Sequence, residues 1–230
     1  MSATTLRIAI AQSNFRVGDI KANTEKIIAQ AQDSRDRLKA DIVIFPELSV
    51  TGYPPEDLLL RPDFIARAQQ AAASIAEQAQ GIDVVFGYPE QSGGKLFNSA
   101  VVCRSGEIIA RYHKNVLPNY GVFDEQRYFT VGSETAFFNL KGLTLAVTIC
   151  EDVWQPGLIA KNRQAGADIV LTLNASPFHA GKIHQREQVV CDQVKAVGVP
   201  LVYVNLIGGQ DELVFDGASF VVDNDGAVVF

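Results

Sequence analysis

Apolar residues along this chain fall into short continuous runs separated by longer stretches with helical spacing. Runs rich in Val, Ile and Phe, bounded by Gly, Pro, Asp or Asn, predict strands. They lie at Leu6–Ala11, Ile42–Phe45, Val84–Gly87, Ser99–Cys103, Ile108–His113, Ala136–Leu140, Leu143–Ile149, Ile169–Leu173, Leu201–Asn205, Ser219–Asp223 and Ala227–Phe230. Helices are expected at 21–39, 63–80, 157–165 and 184–197. Pro62 suits a first helical turn, and Gly81, Gly166 and Gly198 suit left-handed C-caps. Asp41, Asp83 and Asp168 each precede a continuous apolar strand, and continuous rather than alternating strands imply sheets covered on both faces. The centre, 96–149, reads mostly as hairpins turning at Ser105-Gly106 and Lys141-Gly142. The pattern is α/β with mixed sheets. It contains no linker, low-complexity tract or repeat, so 1–230 is read as one domain.

Composition narrows the class. The 230 residues are 47% hydrophobic and 20% charged, which excludes a disordered chain. A net charge of −6 and a pI near 5.1 argue against a dedicated binder of nucleic acid or anionic membrane. No apolar run reaches the roughly 18 residues of a membrane span, and the N-terminus lacks a signal-peptide pattern. Three widely spaced cysteines, Cys103, Cys150 and Cys191, fit a reducing compartment, so a cytoplasmic location is expected. The chain stops at Phe230 within an expected strand, after the turn 223–226, which suggests a piece of something longer.

Candidate chemistry sits just after three strands. Ile42–Phe45 runs into Pro46-Glu47, Ile108–His113 into Lys114, and Leu143–Ile149 into Cys150-Glu151-Asp152. Ligands of α/β sheets bind beyond the carboxyl ends of strands. Each residue also has a plain explanation: a turn carboxylate, a solvated lysine, a small apolar filler. Converging, they form a coherent set. A thiol is mostly protonated at neutral pH and needs a base or a nearby cation. Glu47 can take its proton, and Lys114 can hold a developing oxyanion. That set suits acyl transfer from an amide or nitrile.

The order Glu, Lys, Cys in this context resembles the nitrilase superfamily of carbon–nitrogen hydrolases, which use such a triad. The flanking words are narrower. Those starting at Phe45-Pro-Glu-Leu-Ser-Val-Thr-Gly-Tyr, Lys114-Asn-Val-Leu-Pro-Asn-Tyr, Cys150-Glu-Asp-Val-Trp and Leu173-Asn-Ala-Ser-Pro-Phe resemble the glutaminase domain of the glutamine-dependent NAD synthetases. The likeness runs from residue 6 to the last residue. It implies a nitrilase-type α-β-β-α four-layer sandwich, with two mixed sheets between helices, and a homo-oligomer.

Carried over residue by residue, the resemblance makes Cys150 the nucleophile, Glu47 the general base and Lys114 the stabiliser of the oxyanion. Glu125 matches a second glutamate that positions Lys114. Tyr120, Ser176 and Lys182 match glutamine-binding positions, Lys182 suiting the substrate carboxylate. Tyr53 and Glu151 are further candidates for lining the pocket, Glu151 for the α-ammonium. The implied function is hydrolysis of the glutamine side-chain amide through a thioester. The ammonia would serve an ATP-dependent synthetase domain that amidates nicotinic acid adenine dinucleotide.

That domain's Ser-Gly-Gly-x-Asp-Ser loop is absent here. Ser92-Gly93-Gly94 continues as Lys-Leu-Phe and reads as a hairpin turn, so ATP, Mg and dinucleotide sites are not expected in these residues. No cofactor is expected in this domain. His113, His179 and His184 lack metal-ligand spacing, so no metal is expected either. The alternatives are a stand-alone amidase for another small amide and an oligomerising fragment without turnover.

Overall fold

A computed structural model describes residues 5–155 and 157–230. The first half of the chain builds one sheet. Strand β1 (Ile8–Ile10) leads through helix α1 (Ile20–Asp36) to β2 (Ile42–Ile44), and helix α2 (Pro62–Gln78) leads to β3 (Asp83–Ser92). Two tight turns then add β4 (Lys95–Arg104) and β5 (Glu107–His113). The spatial order is β1-β2-β3-β4-β5, parallel through the first three strands and antiparallel after them. Asp19 opens α1 by accepting the Ala22 N–H at 3.2 Å. Pro62 stands in the first turn of α2, where a missing N–H costs nothing.

The second half builds another sheet. Strands β6 (Ala136–Leu140) and β7 (Leu143–Ile149) form a hairpin. Helix α3 (Leu158–Gln164) leads to β8 (Ile169–Asn174), and helix α4 (Lys182–Val197) to β9 (Leu201–Asn205). A small hairpin of β10 (Ile207–Gln210) and β11 (Leu213–Asp216) precedes β12 (Phe220–Val222), giving the order β12-β9-β8-β7-β6.

Burial explains the continuous apolar runs. In β2 and the residue after it, Val43 and Phe45 face α1 and α2, whereas Ile42 and Ile44 face the other sheet. Leu145, Val147 and Leu171 meet them from the second sheet, and Ala146, Val170 and Leu201 pack outward against Val190 and Val194 of α4. Three apolar layers therefore separate four layers of secondary structure, the expected α-β-β-α sandwich with two mixed sheets.

Expected and observed elements differ in several places. Strand β3 runs to Ser92, well past Gly87, despite Pro89. Its neighbour β2 has already ended opposite Val85, so Pro89 has no ladder bond to forfeit on that side. Helix α1 stops at Asp36 rather than residue 39, and Lys39 takes a left-handed φ of 54°. The hairpin β10–β11 was not expected, because Ile207-Gly-Gly-Gln is short and glycine-rich. Residues 227–230 form only an isolated bridge, Val222 to Val228, instead of a full strand. The loop 223–226 is the expected turn: the Asp223 carboxylate accepts the N–H groups of Asp225 and Ala227.

Candidate active site

The parallel strands of both sheets end on the same side of the sandwich, at the seam between the sheets. Glu47 follows β2, Lys114 follows β5, Cys150 follows β7, and Ala175 and Ser176 follow β8. The three apolar strands thus deliver a carboxylate, an ammonium and a thiol to one buried place.

Lys114 has a wholly buried side chain. Its Nζ donates to Glu47 Oε1 at 2.7 Å and to Glu125 Oε1 at 2.8 Å. Burial pulls the ammonium toward deprotonation, but the charges of Glu125 and Glu47 outweigh it, so its pKa stands well above the usual 10.5. Glu47 also accepts from Asn98 Nδ2 at 2.7 Å, and its other oxygen takes the Ala175 N–H at 3.1 Å. Every oxygen of this buried carboxylate is therefore held. Burial raises the pKa of Glu125; the Lys114 charge opposes that rise and the Glu47 charge adds to it. Tyr53 donates its hydroxyl to Glu125 Oε1 at 3.0 Å. This candidate pocket residue lies against the glutamate, edge-on to Phe215.

Cys150 opens a 3₁₀ turn (Cys150–Trp154) with φ at 44°, an uncommon backbone for a residue with a Cβ. The sharp change of direction from strand to turn resembles the exposed-nucleophile turns of other hydrolases in kind. Burial and the Glu47 charge push the thiol well above its ordinary 9.0, and the Lys114 charge pulls it back. At rest the sulfur is a protonated thiol.

Of the polar candidates, Glu151 and Ser176 are buried, Lys182 is half-buried and Tyr120 is exposed. Tyr120, a residue more than half exposed, donates its hydroxyl to Glu151 Oε2 at 2.9 Å. Burial raises the Glu151 pKa against that hydrogen bond and the charges of Lys114 and Lys182. Lys182 is half-buried, with Nζ 4.1 Å from the centre of the Trp154 ring. Its pKa is lowered by burial and by Arg186. The Ser176 N–H donates to Asn205 Oδ1 at 2.9 Å, and its Oγ accepts from Arg186 Nε at 3.1 Å.

Three residues of this region were not singled out from the sequence. Asn98 bridges Glu47 and Glu125 with one amide nitrogen, at 2.7 and 3.4 Å. An asparagine inside an apolar strand was the available signal. Arg186, wholly buried, donates to the carbonyls of Ser176 and Pro177 at 2.7 and 2.9 Å and to Asp216 at 2.7 Å. It shares the buried stripe of α4 with Val190 and Val194, an i, i+4, i+8 spacing readable in the sequence. Asp152 is fully buried and accepts four hydrogen bonds; burial pushes its carboxyl up to about 6.

A half-open pocket of about 180 Å³ beside this network is lined by Tyr53, Pro54, Pro55, Phe123, Glu125 and Phe129. Among the described residues no helix is long and apolar enough to cross a membrane.

Residues 7–230 match the sequence profile of the carbon-nitrogen hydrolases. The chain is 49% identical to a glutamine-dependent NAD(+) synthetase of Xanthomonas campestris pv. campestris, over 99% of this chain and 42% of that protein. It spans about two fifths of the length of the curated relatives it matches. Its fold superposes on a glutamine-dependent NAD+ synthetase from Acinetobacter baumannii with a TM-score of 0.94 and 42% identity, over 98% of this chain and 43% of the other. A variant of an amidase from Nesterenkonia sp. AN1 also superposes, with a TM-score of 0.87 and 25% identity over all of this chain and 86% of the other. That structure shows covalent addition of an acetamide moiety at the active-site cysteine.

Proposed function

The chain belongs to the carbon-nitrogen hydrolase family, and on that footing we propose that it hydrolyses the side-chain amide of glutamine, supplying ammonia to a synthetase domain that makes NAD. The observation that carries this reading is the buried Lys114 ammonium, 2.7 Å from Glu47 and 2.8 Å from Glu125, at the strand ends that also deliver Glu47 and Cys150. The covalent cysteine adduct of the amidase and the names of the longer relatives support it.

Glu47 takes the thiol proton as Sγ bonds to the amide carbon. The carbonyl oxygen becomes an oxyanion facing Lys114, with the N–H of Glu151 as a second donor. Collapse of this intermediate breaks the carbon–nitrogen bond, and Glu47 returns its proton to the departing nitrogen, which leaves as ammonia. A γ-glutamyl thioester remains on Cys150. Glu47 then takes a proton from water, whose oxygen attacks the thioester carbon. Glutamate departs and the thiol regains its proton. Glu125, tied to Lys114 and Tyr53, keeps the ammonium in place.

Lys182 suits the substrate α-carboxylate, Glu151 its α-ammonium, and Tyr120 and Ser176 the remaining polar edges. This pairing of charges favours an amino-acid amide over a simple one. A stand-alone amidase is the second reading, favoured by the full-length likeness to the Nesterenkonia enzyme. A side-by-side assay with glutamine and propionamide separates them.

The deciding experiment measures glutamate and ammonia release from glutamine by the wild type and Cys150→Ala, with intact-mass analysis of quenched samples. Release lost in the variant and a γ-glutamyl adduct on the wild type are expected. Folded wild-type protein that releases nothing and carries no adduct would overturn the assignment.

A further inference from the structure

We propose that Asp152 is a positioning residue whose carboxylate fastens the strand end carrying Lys114 to the strand end carrying Cys150. The inference rests on the reading of Cys150 as nucleophile. Lys114 leaves β5 in one sheet and Cys150 leaves β7 in the other, so nothing in the hydrogen-bonding of either sheet fixes one against the other. Asp152 supplies that link. Its Oδ1 accepts the N–H groups of Asn115 and Val116 at 3.1 and 2.9 Å, the two residues after Lys114. Its Oδ2 accepts the N–H of Ile149, the residue before Cys150, at 2.8 Å, and the Tyr112 hydroxyl at 2.8 Å.

Three of the four donors are backbone groups within two residues of the lysine or the cysteine. Backbone donors cannot rotate away, so their common acceptor sets where those two segments lie. An aspartate that merely capped its own turn would stop at the Ile149 N–H. Here the same carboxylate reaches across the seam. The bond to Ile149 also holds the strand just before the left-handed backbone of Cys150, the point where the sulfur's direction is set. An ionised carboxylate accepts at both oxygens, whereas an asparagine of the same shape turns an NH₂ toward one pair of donors.

Asp152→Asn tests this. Glutamine turnover should fall about 100-fold in kcat while KM stays within about threefold, because the side chains proposed to bind substrate are untouched. Two variants separate positioning from loss of stability. Tyr112→Phe removes the one donor that is not backbone and should keep kcat within about fivefold. Asp83→Asn breaks the partly buried ion pair with Arg104 at the far end of β3 and should lower Tm with kcat unchanged. The proposal is overturned if folded Asp152→Asn keeps wild-type kcat, or if kcat follows Tm across the three variants. Should Asp152→Asn fail to fold, Asp152→Glu, which displaces the same charge by one methylene, carries the same expectation.

Failure of the glutaminase reading is distinguishable, because wild-type protein would then release no glutamate at all. The rate of Cys150 alkylation by iodoacetamide, followed by peptide mass, tests the positioning without any substrate. A change of about tenfold or more in Asp152→Asn supports the link between the strand ends. An unchanged rate overturns it.

Discussion

A lysine between two glutamates, all out of water, is stable only as a set. Burial raises the Glu125 pKa, and the Glu47 charge adds to that rise against Lys114, while the two carboxylates together hold the Lys114 pKa high against its own burial. Lys114→Met removes the cation and leaves the two carboxylates facing each other. It should cost about 3–5 kcal/mol, lowering Tm by roughly 10 °C in a chain of this size. Thermal melts check this, and the deficit should shrink in acid, where a carboxylate takes up a proton. Asp152 gives a cleaner pH signature. Its carboxyl titrates near 6 in the folded chain, against an ordinary 3.8. The folded state therefore holds its proton to higher pH than the unfolded one. The stabilising contribution is full below about pH 4 and is lost as pH rises through 6. Between pH 4 and 7.5 the wild type should lose roughly 2–3 kcal/mol relative to Asp152→Asn. Urea melts of both proteins across that range measure the difference; parallel curves would mean that Asp152 does not titrate there.

Among the elements, strand ends matter more than strands. Glu47, Lys114 and Cys150 were legible because each is a polar or reactive residue set directly after an apolar run. Their convergence was not, since it depends on two sheets stacking so that their carboxyl ends coincide. The hairpin β10–β11 escaped notice for a different reason. It has little apolar alternation of its own and is fastened from outside, by the Phe178 N–H on Val214 and by Arg186 on Asp216. Asp152 gave no local signal beyond its turn either, because three of its four partners, the Asn115 and Val116 N–H groups and the Tyr112 hydroxyl, lie 36 to 40 residues away. Gly87 shows how tightly a strand can bear on the site. A Cβ there would stand 2.4 Å from the Leu48 nitrogen and 3.2 Å from the Glu47 Cα, both backbone. Gly87→Ala must therefore push the Glu47 segment off β3. Turnover should fall at least tenfold with far-UV circular dichroism unchanged, which steady-state assays and spectra together will check.

For the whole molecule, each sheet comes from one contiguous half of the chain, residues 8–113 for the first and 136–222 for the second. Only the intervening residues pass from one half to the other. That passage carries Lys114, Tyr120 and Glu125, and it is exposed from Asn119 to Val122. The layer of Ile44, Val85, Leu145 and Leu171 joins the halves without it. A protease that nicks the chain once between 119 and 122 should leave two fragments that elute together on gel filtration. Lys114 would then belong to one polypeptide and Glu125 to the other, held together by their ion pair, by Tyr53 and Asn98 on Glu125, and by Asp152 on the backbone after Lys114. A single cut of this kind would act as an off-switch that spares the fold, with glutamine turnover lost while the particle keeps its size.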